Sequence, residues 1–149
     1  HALYAEASKF DLSQSPALKD RSMMDKWILS ELNSLIVEVT GQQWVWSFNY
    51  PDLGILSHEL NIPIGKPVKF IVKSVDVNHS FWPVQLGVKA DANPVSVVQI
   101  NTTPNKIGKI DVKCAELCGL YHAYMETNGY VMSVDDFNNW VLEHGGKTA

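Results

Sequence analysis

The stretch KCAELCGLYHAYME, residues 113–126, holds both cysteines of the 149-residue chain together with one histidine and one methionine. Cys114, Cys118 and His122 follow one another at intervals of four residues, and Met125 comes three residues later. So dense a group of thiol, imidazole and thioether side chains needs an explanation, and five interpretations follow from the residues alone.

Four of these interpretations involve no copper. On a helix, the four side chains would share one face and form a buried stripe, although Gly119 costs about 1 kcal/mol relative to Ala in a helix interior. A disulfide would require the cysteine Cα atoms to lie within about 7 Å of each other. A zinc site would use Cys-x3-Cys-x3-His and a distant histidine. A nucleophilic Cys–His pair would lack an evident Asn or Asp to orient its histidine.

Copper is the fifth interpretation, and it uses all of the donors. Thiolate, imidazole and thioether groups together are the ligands of soft, redox-active copper centres. A mononuclear blue copper site needs a single cysteine, so a second thiolate makes sense when two copper ions share two bridging sulfurs. One histidine would complete each ion. His122 is the first, and the second must come from elsewhere in the sequence.

His79 is the candidate for the second histidine. It lies in SVDVNHSFW, in a predicted loop after a strand that ends near Val75, among apolar or small neighbours. A lone histidine there would more often be a hydrogen-bonded core residue, but its place upstream of the cysteine cluster favours a ligand. His58 follows a predicted turn and His144 lies at a predicted helix end, so both are expected at the surface.

Strand-like segments surround the candidate ligands. Short apolar or alternating segments separated by turn signals predict an all-β sandwich or barrel: LIVEV, WVWSFNY, HELNIPIG, PVKFIVKSV, FWPVQLGV, VSVVQIN, GKIDVKC and GYVMSV. Within WVWSFNY, the alternate aromatic residues from Trp44 to Tyr50 are predicted to share one face of a strand. Ser133-x-x-Asp136 predicts the start of one short helix, which Gly145 ends.

The polar residues 1–34 are predicted to form an irregular linker before a domain at residues 35–149, and MMDKWILSELN is compatible with either a short helix or a linker packed on the domain. No run of about 20 apolar residues occurs, so no membrane span is predicted. The first residues lack the basic and apolar regions of a signal peptide. Because the chain begins with His rather than Met, we expect that residues upstream have been lost.

The formal net charge of −4 and the pI of about 5.7 disfavour nucleic acid and anionic lipid as partners and would suit a basic protein.

At the residues described above, the sequence resembles the CuA domain of subunit II of cytochrome c oxidase and related haem–copper oxidases. That family has an upstream histidine in a DVxHSFW-type stretch and a Cys-x-Glu-x-Cys-Gly-x-x-His-x-x-Met motif. The resemblance covers about residues 36–142 and rests on five segments: GQQWVWSFNYPD (41–52), DVNHSFW (76–82), LGVKADANP (86–94), CAELCGLYHAYM (114–125) and SVDDFNNWV (133–141).

The resemblance implies a cupredoxin-like Greek-key β-sandwich with a short C-terminal helix and a binuclear CuA centre. Two thiolates would bridge the two copper ions, and one imidazole would bind each ion. A thioether would be a weak axial ligand to one ion and a backbone carbonyl to the other. The implied ligands are Cys114 and Cys118, His79 and His122, Met125, and the carbonyl of Glu116.

The resemblance also implies a function without catalytic residues in this domain. Electrons would arrive at Trp44 from cytochrome c or a similar donor. They would pass to the haem-bearing subunit I of a proton-translocating oxidoreductase, which reduces O2 to water. The Glu116 side chain would reach a magnesium ion at the border with subunit I. The domain would lie on the outer side of an energy-conserving membrane, attached only through subunit I or through an N-terminal transmembrane hairpin that this chain lacks, as in a separated ectodomain.

Three other assignments share part of the pattern. The CuA domain of nitrous oxide reductase typically has Trp at the position of Glu116, and a copper chaperone of the SCO type has its histidine far downstream. A structural zinc module is the non-redox alternative. The chain also departs from the oxidase pattern in three places, with Val45 for an aromatic residue, Asn49 for an acidic one, and Val95-Ser96 for Gly-Arg.

Overall fold

The computed structural model describes residues 33–146, which contain two five-stranded β-sheets and one α-helix. The first sheet has the order β3-β2-β1-β5-β8: β1 Leu35–Gln42, β2 Val45–Tyr50, β3 Ile55–Ser57, β5 Val68–Ser74 and β8 Val98–Thr102. The second has the order β4-β10-β9-β6-β7: β4 Leu60–Pro63, β6 His79–Pro83, β7 Ala90–Ala92, β9 Gly108–Cys114 and β10 Glu126–Met132. The predicted all-β architecture is confirmed.

The chain crosses repeatedly between the sheets, which produces parallel pairs as well as hairpins. β1 pairs in parallel with β5, and β4 pairs in parallel with β10. β6 and β9 are antiparallel neighbours, with Phe81 opposite Cys114. Because antiparallel strands run in opposite directions, the start of β6 and the end of β9 lie at the same end of the second sheet.

Alternation along the strands builds the core between the sheets. Inward-facing positions are buried and the intervening ones more exposed, as expected when one face of each strand meets the core. The members from the first sheet include Val37, Val39, Trp46, Phe48, Tyr50, Phe70 and Val72, and those from the second include Phe81, Ile110 and Val112. The ring of Phe81 lies edge-on to both Phe70 and Trp46, at centroid distances of 5.1 and 5.7 Å.

Three expectations about strand limits are wrong. Trp44 does not share the face of a strand, because Gln42 and Val45 form the last pair of the β1–β2 ladder and Trp44 lies in the turn between them. His79 is the first residue of β6 rather than part of a loop, because it pairs with Ala92 of β7. The strand predicted through FWPVQLGV ends at Pro83 and continues as a 3-10 turn over Val84–Leu86.

The predicted C-terminal helix is confirmed as α1, Val134–Glu143. The Ser133 hydroxyl accepts a hydrogen bond from the Asp136 N–H at 3.1 Å and caps its first turn. Its buried face contacts the sandwich, and Gly145 ends it with a φ of 72°. Within residues 33–146, no helix has the length and apolar character needed to cross a bilayer.

The predicted linker and its short helix in MMDKWILSELN fall outside the described residues, apart from positions 33 and 34. The division at residue 34 therefore stays a prediction.

Replacing Tyr50 by Phe should destabilise the metal-free protein by about 1–3 kcal/mol, the cost of leaving buried polar groups unpaired. The Tyr50 hydroxyl donates to the Asn61 carbonyl at 2.8 Å and accepts from the Asn61 N–H at 3.0 Å. Urea unfolding measures the change, and Tyr130→Phe is the matched control because Tyr130 is 48% exposed. An equal effect of both substitutions would contradict this account of β4.

Candidate metal centre

The cysteine segment is the connection of a β-hairpin. β9 ends at Cys114, a loop follows, residues His122–Tyr124 form a 3-10 turn, and β10 begins at Glu126 opposite Lys113. The helical interpretation is therefore wrong. A spacing of four suits a helix face, but strand pairing at both ends of the segment bends it into a closed loop, and Gly119 has a φ of 117°.

The two thiols face each other without a covalent bond. The Sγ atoms of Cys114 and Cys118 are 3.7 Å apart, and both cysteines are free and buried. The structure therefore contains no disulfide between Cys114 and Cys118. Two unbonded sulfurs at this separation can instead contact the same metal ion or ions.

Each sulfur has one imidazole nitrogen beside it. The Nδ1 atom of His79 lies 3.9 Å from the Sγ of Cys114, and the Nδ1 atom of His122 lies 3.4 Å from the Sγ of Cys118. His79 reaches its sulfur from the start of β6, which adjoins the end of β9. His79 is buried, whereas His122 is half-buried.

Each sulfur also has a third neighbour. The backbone carbonyl oxygen of Glu116 lies 3.0 Å from the Sγ of Cys114. The Sδ of Met125, which is buried, lies 3.6 Å from the Sγ of Cys118. The Glu116 side chain is exposed. The donor atoms of all six predicted ligands thus meet in one place, while His58 and His144 are exposed, as expected.

Asp76 is a site residue that the sequence interpretation missed. Its Oδ1 lies 2.9 Å from the Nε2 of His79. A carboxylate in this position accepts a hydrogen bond from Nε2–H and orients the ring, and Nδ1 is the nitrogen that faces Cys114. The signal available in the sequence was an acidic residue three positions before the candidate histidine.

Two groups at the site have shifted proton affinities. Burial opposes ionisation of Asp76, but hydrogen bonds from the Gln43 N–H, His79 and the Val77 N–H outweigh it and lower the pKa of this carboxyl. Burial, and next the neighbouring Cys114, raise the pKa of the Cys118 thiol to about 12. Without metal this thiol is neutral at pH 7, so a metal ion that binds the thiolate must displace a proton.

Trp44 lies beside the cluster rather than in it. Its ring is edge-on to Tyr121 of the cysteine loop, with the centroids 4.7 Å apart. The side chain is half-buried, and its Nε1 atom is buried without a hydrogen-bond partner. The loop residues around it present several exposed apolar side chains: Leu117, Leu120, Tyr121 and Tyr124.

The arrangement can hold a metal ion. The ligand atoms of His79, Cys114 and Cys118 all lie within 4.8 Å of one another, and all three residues are buried. The nucleophilic interpretation gains the orienting carboxylate that the sequence did not reveal. However, a second thiol lies 3.7 Å from the first, with the His122 imidazole and the Met125 thioether beside it, and a Cys–His nucleophile would use none of these three groups. A cavity of about 560 Å³ is lined elsewhere, between Gln85 and the Thr102–Lys109 segment.

Comparisons with known proteins agree with this geometry. The family model described as cytochrome c oxidase subunit II, periplasmic domain, matches residues 55–131. Cytochrome c oxidase subunit 2 of Thermostichus vulcanus is 47% identical over 107 residues, which are 71% of this chain and 32% of that protein. Its counterpart in Bacillus subtilis is 37% identical over 133 residues, 85% of this chain and 37% of that protein. This chain thus spans about one third of the length of these relatives.

A solved structure shows the same fold. The crystal structure of the periplasmic domain of subunit II of cytochrome oxidase (CoxB) of Bradyrhizobium japonicum superposes with a TM-score of 0.69 at 30% identity, covering 76% of this chain and 94% of that one. The predicted cupredoxin-like Greek-key β-sandwich is confirmed by this likeness and by the two sheets with one terminal helix. The chain therefore belongs to the family of cytochrome c oxidase subunit II, within its periplasmic domain.

Proposed function

We propose that this chain carries a binuclear CuA centre and relays electrons within a haem–copper oxidase. One observation carries the proposal, namely that two unbonded sulfurs lie 3.7 Å apart and each has its own imidazole Nδ1 within 3.9 Å. A zinc site of four donors would leave the thioether of Met125 without a role, and a mononuclear blue copper site would use only one of the thiolates. Two copper ions that share both sulfurs give every donor a role.

The donor set fits this group, and each residue has one task. Bound copper would supply a one-electron store that gains and loses an electron without breaking a bond to the protein. The thiolates of Cys114 and Cys118 would be shared by the two ions, and the imidazoles of His79 and His122 would each bind one. The Met125 thioether and the Glu116 carbonyl would be weaker donors.

The fold contributes rigidity and a dry environment. His79 and Cys114 stand on paired strands of one sheet, and the cysteine loop is closed by the β9–β10 pairing. Such a frame keeps the ligand positions nearly constant when the charge of the site changes. Burial of the two thiols and of His79 would keep water away from a bound metal ion.

The partners follow from the same proposal. A cytochrome c-type donor would deliver electrons at Trp44, which touches the cysteine loop. Subunit I, which holds the haems, would receive them and reduce O2 to water, so the assembled complex is the enzyme and this domain is its relay. The exposed Glu116 side chain would reach a magnesium ion at the border with subunit I. The domain would face the outer side of an energy-conserving membrane.

Copper loading tests the proposal. We expect the protein with reduced thiols, given one equivalent each of Cu(I) and Cu(II) under anaerobic conditions, to bind two copper ions per chain and to become purple with the spectrum of a delocalised mixed-valence pair. The double variant His58→Ala/His144→Ala is the matched control, because it removes exposed histidines that lie outside the cluster and should still bind two ions. A colourless protein that takes up one zinc ion in preference to copper would refute the proposal.

A further inference from the structure

The turn between β1 and β2 reaches both halves of the metal centre through one residue. The backbone N–H of Gln43 donates to the Oδ2 of Asp76 at 2.8 Å. The side-chain Nε2 of the same residue donates to the carbonyl oxygen of Cys118 at 2.9 Å. These partners lie 33 and 75 residues away in the sequence.

The backbone arm of Gln43, which is the hydrogen bond from its N–H to Asp76, leads to His79. Asp76 accepts from Gln43 through Oδ2, and its Oδ1 faces the Nε2 of His79 at 2.9 Å. The N–H of Val77 also donates to that Oδ1, at 2.6 Å. The Asp76 carboxylate is therefore held from two sides while it orients the imidazole that faces Cys114.

The side-chain arm of Gln43, which is the hydrogen bond from its Nε2 to the Cys118 carbonyl, leads to the cysteine loop. A Cβ atom at Gly119 would lie 2.9 Å from the Nε2 of Gln43 and 3.4 Å from the Nε1 of Trp44. The absence of a side chain at this position, together with its positive φ of 117°, lets the Cys118–Gly119 peptide approach the turn. The hydrogen bond from Gln43 then fixes the backbone of a residue whose thiol faces both Cys114 and Met125.

We propose that Gln43 is a positioning residue that sets the geometry of the metal centre by holding the Cys118 carbonyl and the Asp76–His79 pair in fixed relation. This inference rests on the proposed copper function. Gln43 acts through the backbone carbonyl of Cys118 and through the Asp76 carboxylate that orients His79, and its hydrogen bonds go to neither the Cys118 thiol nor the His79 ring. Partners of this kind typically contribute about 10–100-fold to metal affinity.

The two arms can be separated experimentally, because a substitution at position 43 removes the side-chain arm and leaves the backbone N–H in place. Gln43→Met keeps the length and neutrality of the side chain but has no donor. Gln43→Glu keeps the shape and, when ionised, places an acceptor against the Cys118 carbonyl. Gln42→Met and Gln42→Glu are the matched controls, since Gln42 is exposed and precedes the turn.

The measurements are the rate of copper loss to a Cu(I) chelator, the visible and electron paramagnetic resonance spectra, and the melting temperature of the metal-free protein. We expect Gln43→Met to lose copper roughly tenfold faster than the unchanged protein, and Gln43→Glu to lose it faster still. Both should show altered copper hyperfine splitting, whereas the Gln42 variants should stay within twofold of the unchanged protein.

The outcomes separate the two proposals. If the unchanged protein does not bind two copper ions, the proposed function fails. If it does, but the Gln43 variants match the Gln42 variants in copper loss and spectra, the role of Gln43 is refuted and the copper function stands. A lower melting temperature of the metal-free Gln43 variants with unchanged spectra at full copper load would show a merely structural role and would also refute the inference.

Discussion

Replacing Cys118 by serine should reduce bound copper from two ions per chain to one or none and abolish the mixed-valence absorption. A serine hydroxyl stays protonated near neutral pH and is a poor ligand for soft copper. The remaining sulfur of Cys114 cannot by itself hold two ions in the arrangement that two bridging sulfurs create. Copper analysis and electron paramagnetic resonance of the loaded variant measure the result.

The matching variant Cys114→Ser makes this experiment decisive. If both sulfurs bridge, the two substitutions must cause equal losses, since neither ion can then keep its full set of ligands. In a mononuclear blue site, only one cysteine would be essential, and the other variant would remain intensely coloured with one copper ion. Melting of both metal-free variants checks that the serines have not unfolded the sandwich, because Cys114 and Cys118 are buried.

Truncating Trp44 to alanine should slow electron entry from a cytochrome c-type donor by about 30-fold, the effect of losing a tryptophan anchor worth about 2 kcal/mol at an interface. The half-buried ring contacts Tyr121 and lies against Gly119, next to a proposed copper ligand. Stopped-flow reduction of the copper-loaded protein by reduced cytochrome c gives the second-order rate constant.

Trp82→Ala is the control for this second substitution. Trp82 is also half-buried, but it lies on β6 opposite Lys113, and the Lys89 ammonium group sits 4.6 Å from its ring centroid. Both variants should retain the copper spectrum, so that only the rate distinguishes them. Equal rates in the two variants would mean that electrons do not enter at Trp44.

The departures from the family pattern that the sequence revealed fall on accessible positions. Val45 is 39% exposed and Val95 is 89% exposed, so neither side chain belongs to the core. The side-chain amide of Asn49 lies 3.5 Å from the Glu38 carboxylate, which places a neutral group beside an acidic one. None of these positions is among the predicted ligands, so they leave the donor atoms of the metal centre as they are.

Much of the fold and the chemistry of the candidate donors could be predicted because both are local properties. Alternation of apolar residues in β1, β2 and β5 reports which face of a strand meets the core, whatever the topology. The Ser133 cap and the apolar spacing behind it specify α1 in the same way. Likewise, a thiol, an imidazole and a thioether have metal preferences that do not depend on the rest of the chain.

The spatial arrangement of the site residues could not be predicted from the sequence in the same way. A spacing of four residues fits both a helix face and a hairpin loop, and only the pairing of Glu126 with Lys113 excludes the helix. The sequence could not show that Trp44 lies in the turn. Its place there follows from the register of β1 with β2, in which Gln42 pairs with Val45. The role of the Asp76 carboxylate depends on the chain turning back between β5 and β6, which places Oδ1 2.9 Å from the Nε2 of His79.

By itself, the sequence determined that this chain is a β-sandwich with one short helix and that its sulfur and imidazole side chains suit copper. Tertiary structure alone decided which imidazole stands beside which sulfur, that Asp76 orients the buried one, and that Gln43 links the two halves. The reason is physical: side-chain chemistry and alternation are carried by neighbouring residues. Contacts such as Gln43 with Cys118 span 75 residues and exist only after the strands have paired.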